Sequence, residues 1–381
     1  MLVTYFNKYI MRRILYPLSA LLFLPALLLS FGLRAQNRDE KPGMAVIAYY
    51  SGNSKAIDNY PVKKLTHIIY SFCHLKGNRL NVDNADDSAT IVKLVSLKAI
   101  NPKLKVLLSL GGWGGCEFCS PVFATDAGRE GFAKSVKEIN DYFKTDGIDL
   151  DWEYPSIEGY PGHKYQSSDR GNFTALVKAI RNSLGDQPEI SFAAGGFNEF
   201  LKRSVDWKEV MPVVNYVNLM CYDLVNGFST TTGHHTPLYS TASQVESTDN
   251  AVRYLTSMGV PADKMVIGSA FYGRSWEKVP AVNNGLNQPG KFKSFIPYRQ
   301  FSQRVSADSG FVFYQDTIAK APYAYNAATR TFATFDDKLS IRNKTQYVKD
   351  KGLHGIMFWE LTLDNYSDGL LDVIDKVKNE K

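Results

Sequence analysis

Four acidic residues fall within eight positions of the stretch Asp146-Gly147-Ile148-Asp149-Leu150-Asp151-Trp152-Glu153-Tyr154-Pro155. Read as a β-strand, whose side chains alternate between two faces, it puts Asp149, Asp151 and Glu153 on one face. Ile148, Leu150, Trp152 and Tyr154 take the other. Carboxylates two residues apart on a strand lie roughly 6 to 7 Å from each other, near enough to repel when ionised. If the acidic face is buried, at least one of the three holds a proton near neutral pH, and a carboxyl that keeps its proton is a general acid. Glu153 is the longest of them and the nearest to the open end of such a strand. It is the candidate acid, with Asp149 and Asp151 behind it as a charge-buffering pair. Asp146 has the opposite parity and reads as structural.

These acids need a scaffold that covers both faces of their strand. Apolar runs at 45–51, 67–72, 105–110, 189–194, 216–223, 264–272 and 355–361 join the acidic strand to predict eight strands. Helical patterns separate them, such as Phe132, Val136, Ile139 and Phe143 on one stripe, or Phe173, Leu176, Val177, Ile180 and Leu184 on another. A last helix is expected to start at a Ser367 cap. Strict alternation of strand and helix predicts an α/β fold, a (β/α)8 TIM barrel over residues 44–381. An open doubly wound sheet wants a glycine-rich phosphate turn after the first strand, and Tyr50-Ser51-Gly52-Asn53 is not one. The alternation breaks at 275–335, where short aromatic runs predict a small α+β insertion after strand seven. In a barrel, chemistry sits at the carboxyl ends of the strands, where Ser109 to Trp113, Met220 to Asp223, Tyr272 to Arg274 and Trp359 also fall.

Residues 1–35 read as a secretory signal peptide, with Lys8, Arg12 and Arg13 before an apolar run from Ile14 to Leu33, and 36–43 as a spacer. The alternative is an uncleaved membrane anchor, because the run is near spanning length. Either way the expectation is an exported protein, secreted, periplasmic or on the cell surface, with no other membrane contact. Losing residues 1–35, which hold four basic groups and no acid, takes the formal charge from +6 to +2. That balance gives no reason to expect nucleic acid as a partner. Cys116 and Cys119 form a C-x-x-C in a glycine-rich loop, read as a local disulfide in an oxidising compartment, while Cys73 and Cys221 read as buried thiols. Asp149-x-Asp151-x-Glu153 lacks the turn glycine of a calcium loop, and no histidine pair has zinc spacing, so neither metal nor cofactor is expected. His234-His235, in a Ser/Thr/Gly loop, reads as solvated. A serine hydrolase would want a Gly-x-Ser-x-Gly elbow, which the sequence lacks.

The acidic stretch resembles the active-site signature of family 18 glycoside hydrolases, the chitinases, with every acidic position filled. Ser109-Leu110-Gly111-Gly112-Trp113 resembles the family's Ser-x-Gly-Gly motif, and Met220-Cys221-Tyr222-Asp223 its Met-x-Tyr-Asp. The resemblance implies a (β/α)8 barrel with an α+β insertion, and a chitinase cutting β-1,4 linkages between N-acetylglucosamine units. Family 18 is among the recognised exceptions to the two-carboxylate scheme, retaining by substrate assistance. It implies Glu153 as general acid and base, Asp151 on the acetamido N–H, and Asp149, bonded to Ser109, sharing a proton with Asp151. Tyr222 would position the acetyl oxygen near Asp223 and Arg274, with Trp359 as the floor of the site. Gly112, Tyr154 and Met220 line it, and Tyr49, Phe72, Trp113 and Trp276 offer stacking faces for further sugars. The implied partners are chitin or N-acetylglucosamine oligosaccharides, bound by a monomer. Two other readings stay open: an endo-β-N-acetylglucosaminidase acting on N-glycan cores, and a non-catalytic chitin-binding lectin on the same barrel.

Overall fold

Alternate residues of the first strand belong to different cores, which is the signature of a closed sheet wrapped in helices. In β1 (Ala45–Tyr50), Val46, Ala48 and Tyr50 join the core between strands and helices, while Ala45, Ile47 and Tyr49 join a second core inside the sheet. The structure is a computed structural model describing residues 43–380. The signal-peptide expectation for 1–35, and nearly all of the spacer, lie outside the described residues. Among those described, no helix is long and apolar enough to cross a membrane.

The remaining barrel strands are β2 (His67–Lys76), β3 (Lys105–Gly111), β4 (Gly147–Asp151), β5 (Glu189–Gly195), β6 (Tyr216–Met220), β7 (Met265–Ala270) and β8 (Gly355–Trp359). Every neighbouring pair is parallel, and β1 pairs with both β2 and β8, so the sheet closes on itself. This is the expected (β/α)8 barrel. Helices Asp126–Phe143 and Asp169–Leu184 bury Phe132, Val136, Phe173, Val177 and Ile180 against the outer face of the strands. Each large apolar side chain so buried stabilises the fold by about 1.5–3 kcal/mol.

Several boundaries differ from the sequence reading. The acidic strand stops at Asp151, so Trp152 to Pro155 lie past its end rather than within it. The last helix, Leu370–Asn379, starts after Gly369 instead of at a Ser367 cap. Asp364 does the capping from outside the helix, its carboxylate accepting the Leu370 and Leu371 amides at 2.9 Å each. Between β7 and β8 the chain builds an antiparallel sheet of five strands, Lys291–Pro297, Tyr272–Glu277, Thr331–Phe335, Ala321–Asn326 and Val312–Asp316 in spatial order. This sheet begins at Tyr272, three residues before the break in the sequence pattern. Trp276 is fully buried within it against Phe292 and Phe332, its Nε1 donating to the Ser229 carbonyl at 2.9 Å. The ring therefore presents no face to a sugar, contrary to the sequence reading.

Candidate active site

Period-two alternation carries Asp149 and Asp151 into the barrel. Asp149 is wholly buried, and four donors converge on its carboxylate. Tyr49 Oη (3.0 Å) and Ser109 Oγ (2.8 Å) donate to Oδ2, while Ser191 Oγ (2.7 Å) and Asn218 Nδ2 (3.2 Å) donate to Oδ1. Burial pushes the Asp149 carboxyl up, and these four hydrogen bonds oppose the rise. Tyr49 thus faces an acid rather than a sugar; at 2% exposure it is a buried brace, which corrects the stacking role read from the sequence. Ser191 and Asn218 escaped the sequence reading. Their parity could have found them, because Ser191 alternates with Phe192 on β5, and Asn218 lies between the inward-facing Tyr216 and Met220 on β6.

Asp151 differs sharply from its neighbour. It is 4% exposed, and its Oδ1 has no hydrogen-bond partner. Burial first, then the charges of Glu153 and Asp149, drive its carboxyl well above the usual range. Asp151 therefore holds its proton more tightly than an exposed aspartate does. No hydrogen bond joins Asp149 to Asp151, since the donors on Asp149 already occupy both its oxygens. The resting molecule accordingly lacks the shared proton that the family resemblance implied.

Glu153, just past the end of β4, is partly open to solvent. Burial of its carboxyl raises it to about 7, with a lowering contribution from the Tyr154 side chain and a raising one from Asp223. Tyr154 packs edge-on against Phe197 and Phe200. Asp223 clamps Arg274 through both of its oxygens, Nη2 to Oδ2 at 2.6 Å and Nε to Oδ1. Burial alone would raise Asp223, but His235 and Arg274 beside it hold it well below the usual carboxylate range. His235 is wholly buried and His234 nearly so, which overturns the reading of this pair as solvated loop. Tyr222 and Met220, each 9% exposed, line the same end of the barrel.

Trp359 ends β8 and forms a floor with Phe72, their planes 15° apart and centroids 5.5 Å apart. Gly112 supports that floor. It sits at φ +79°, and a Cβ there would come within 2.3 Å of the Phe72 ring. Gly112→Ala is expected to cost about 1–3 kcal/mol of stability and to push Phe72 off Trp359. Urea unfolding with parallel rate measurements checks this, and an unchanged midpoint would show that the contact is slack. Gly112 N–H also donates to the Asp151 carbonyl at 2.9 Å, tying this loop to the acidic strand. The same loop carries the Cys116–Cys119 disulfide, while Cys73 and Cys221 are buried and free.

At the rim, Trp113 is 48% exposed, close to the exposed rings of Tyr160 and Phe228. The sequence reading named Trp113 but missed the other two, which stand in loops without periodicity. No cluster of metal-binding side chains occurs among the described residues.

A closed parallel barrel with a proton-holding glutamate past its fourth strand, a fully braced aspartate behind it and exposed rings at the rim is built for hydrolysing glycosidic bonds. The family model described as glycosyl hydrolases family 18 matches residues 45–364, and the chain belongs to that family of hydrolases. It is similar to chitinase B of Serratia marcescens, 30% identical over 88% of this chain and 84% of that protein. Chitinase A1 of Niallia circulans is 28% identical over 90% of this chain, which spans only 60% of that relative's length. Among solved structures, a family 18 N-acetylglucosaminidase from Paenibacillus barengoltzii superposes with a TM-score of 0.79 at 35% identity, over 88% of this chain and 99% of that one.

Proposed function

We propose that the protein hydrolyses β-1,4 linkages between N-acetylglucosamine units of chitin, with retention and with the substrate supplying the nucleophile. The observation that carries this reading is the contrast between the acids at the end of β4: one braced by four donors, one raised by burial with an unpaired oxygen, and one partly exposed with its pKa near 7. Glu153 protonates the glycosidic oxygen as the bond breaks, and the acetamido carbonyl attacks C1 to give an oxazolinium ion. Asp151 uses its free Oδ1 to accept the acetamido N–H, a hydrogen bond that strengthens as positive charge develops on the oxazolinium ring. Glu153, now a carboxylate, takes a proton from the water that opens the ring. Trp359 and Phe72 lie under the sugar, and Tyr222 positions the acetyl oxygen. Residues 1–35 direct export, which puts the enzyme where polymeric chitin is.

The names of relatives separate two product patterns. Two are chitinases, whereas one of the similar solved structures is an N-acetylglucosaminidase. Incubation with an N-acetylglucosamine hexamer and with cellohexaose tests the chemistry and the pattern together. The hexamer is expected to be cut with the β-anomer formed first, while cellohexaose, lacking the acetamido group, stays intact. Cleavage of the glucan, or an α-anomer as first product, would exclude substrate assistance. Monomer as the sole early product would favour the glucosaminidase reading, and dimers or longer pieces the chitinase one.

A further inference from the structure

We propose that His235 is a positioning residue for proton transfer: its imidazole, packed against the Asp223–Arg274 pair, fixes the Asp223 carboxylate beside Glu153 and closes a hydrogen bond to it when substrate binds. This inference rests on the proposed role of Glu153 and adds a residue to that site. The His235 side chain is wholly buried, yet neither ring nitrogen has a hydrogen-bond partner. Buried polar atoms are nearly always paired, so two orphans on one ring next to a reaction site call for a partner that arrives later. The nearest acceptor is Asp223 Oδ1, 3.6 Å from Nδ1. That separation is too long for a hydrogen bond, and a movement of less than about 1 Å would make one. Catalytic hydrogen bonds are often long in the free enzyme and tighten once substrate is bound.

The histidine's own backbone is fixed on both sides. Its N–H donates to Thr334 Oγ1 at 3.2 Å, and its carbonyl accepts the Leu224 N–H at 3.0 Å. With the backbone held, a small turn of the imidazole or of the Asp223–Arg274 pair as a unit closes the gap, and Asp223 follows Tyr222 directly in the chain. The groups facing the ring are Asp223 from the loop after β6, Arg274 and Tyr272 from the first strand of the insertion, and Asp336 from the end of the Thr331–Phe335 strand. Burial lowers the imidazole's proton affinity, with Arg274 adding to this and the two carboxylates opposing it. His235 therefore serves as a neutral donor through Nδ1, leaving Arg274 as the cation of the cluster. Its dipole partly compensates the Asp223 charge that Glu153 feels. Without that dipole, Asp223 acts on Glu153 as a fuller negative charge, and Glu153 holds its proton to higher pH.

The test compares His235→Leu, which keeps the bulk and removes the donor, with His235→Asn, whose amide N–H can stand where Nδ1–H stood. The readouts are kcat, KM and the pH profile on the N-acetylglucosamine hexamer. His235→Leu is expected to lower kcat on the order of tenfold with KM little changed, and to move the basic limb of the profile to higher pH. His235→Asn is expected to restore both. A leucine variant with wild-type kcat and basic limb, or an asparagine variant as impaired as leucine, overturns the role of His235. A wild-type protein that leaves the hexamer uncut overturns instead the reading of the site on which the role rests. Should the leucine variant not fold, the Nδ1 resonance of His235 in the Glu153→Gln protein decides the matter. It is expected to shift when the hexamer is added, and a resonance that stays put overturns the proposal.

Discussion

Glu153→Gln is expected to slow hydrolysis of the N-acetylglucosamine hexamer by about two to four orders of magnitude while leaving its binding intact. Glutamine has nearly the shape of the protonated glutamic acid, so it disturbs neither the burial nor the neighbours of that side chain. It has no proton to give. The loss should therefore fall on kcat, and the affinity, read by calorimetry or fluorescence quenching of the rim tryptophan, should stay near that of the wild type. Turnover close to wild type would end the assignment of Glu153 as the acid.

The pH dependence follows from the same group. A general acid must be protonated to act, so activity is present below its pKa and declines as pH rises through it. With the Glu153 carboxyl raised to about 7 by burial, kcat/KM should bend downward near neutrality rather than near the ordinary glutamate value of about 4.3. Glu153→Gln should abolish that bend in whatever activity remains. The Asp151 carboxyl is raised as well, by burial first and then by its two acidic neighbours.

Parity made the interior of the barrel readable from the chain. A strand buried on both sides contacts different neighbours on alternate residues, so Asp149 and Asp151 could be assigned to the inside, and Ile148 and Leu150 to the helices, before any contact was known. The rule lost its hold where local pattern and long-range contact diverge. Trp152 and Tyr154 prolong the alternation of β4, yet the strand ends at Asp151, and no residue type at that point announces the end. Tyr49 and Trp276 looked like sugar platforms because aromatics near strand ends suit that purpose. What removes them is distant chain: Asp149, 100 residues away, binds the Tyr49 hydroxyl, and Phe332 helps to cover Trp276. His234 and His235 are buried for the same reason. Their loop composition is that of a solvated turn, but the insertion closes over them, with Asp316 Oδ2 3.0 Å from His234 Nε2 and Thr334 accepting from the His235 backbone. Burial produced by residues 82 and 99 positions away leaves no trace in a local pattern.

Lys344→Met is expected to reduce the free energy of unfolding by about 3–5 kcal/mol, measured by urea denaturation. Lys344 Nζ lies 2.6 Å from Asp336 Oδ2, and neither side chain is exposed at all. Asp336 is placed where the second sheet rejoins the barrel, and its carboxylate also accepts from the Ala270 N–H at the end of β7 (3.0 Å) and from Ser340 Oγ (2.6 Å). Methionine fills the space of the lysine stem but leaves this carboxylate without its cation. The remaining donors are neutral and offset only part of that cost. Adding Asp336→Leu should recover some of the loss, because no charge is then stranded. Recovery should be incomplete, since the Ala270 amide loses its acceptor. A single substitution costing less than about 1 kcal/mol would mean that water or the neutral donors already satisfy Asp336. The pair bears on catalysis through Ala270, two residues before Tyr272 and four before Arg274. Loosening it should also loosen the Asp223 clamp, so the hydrolysis rate is expected to fall even under conditions where the variant remains folded.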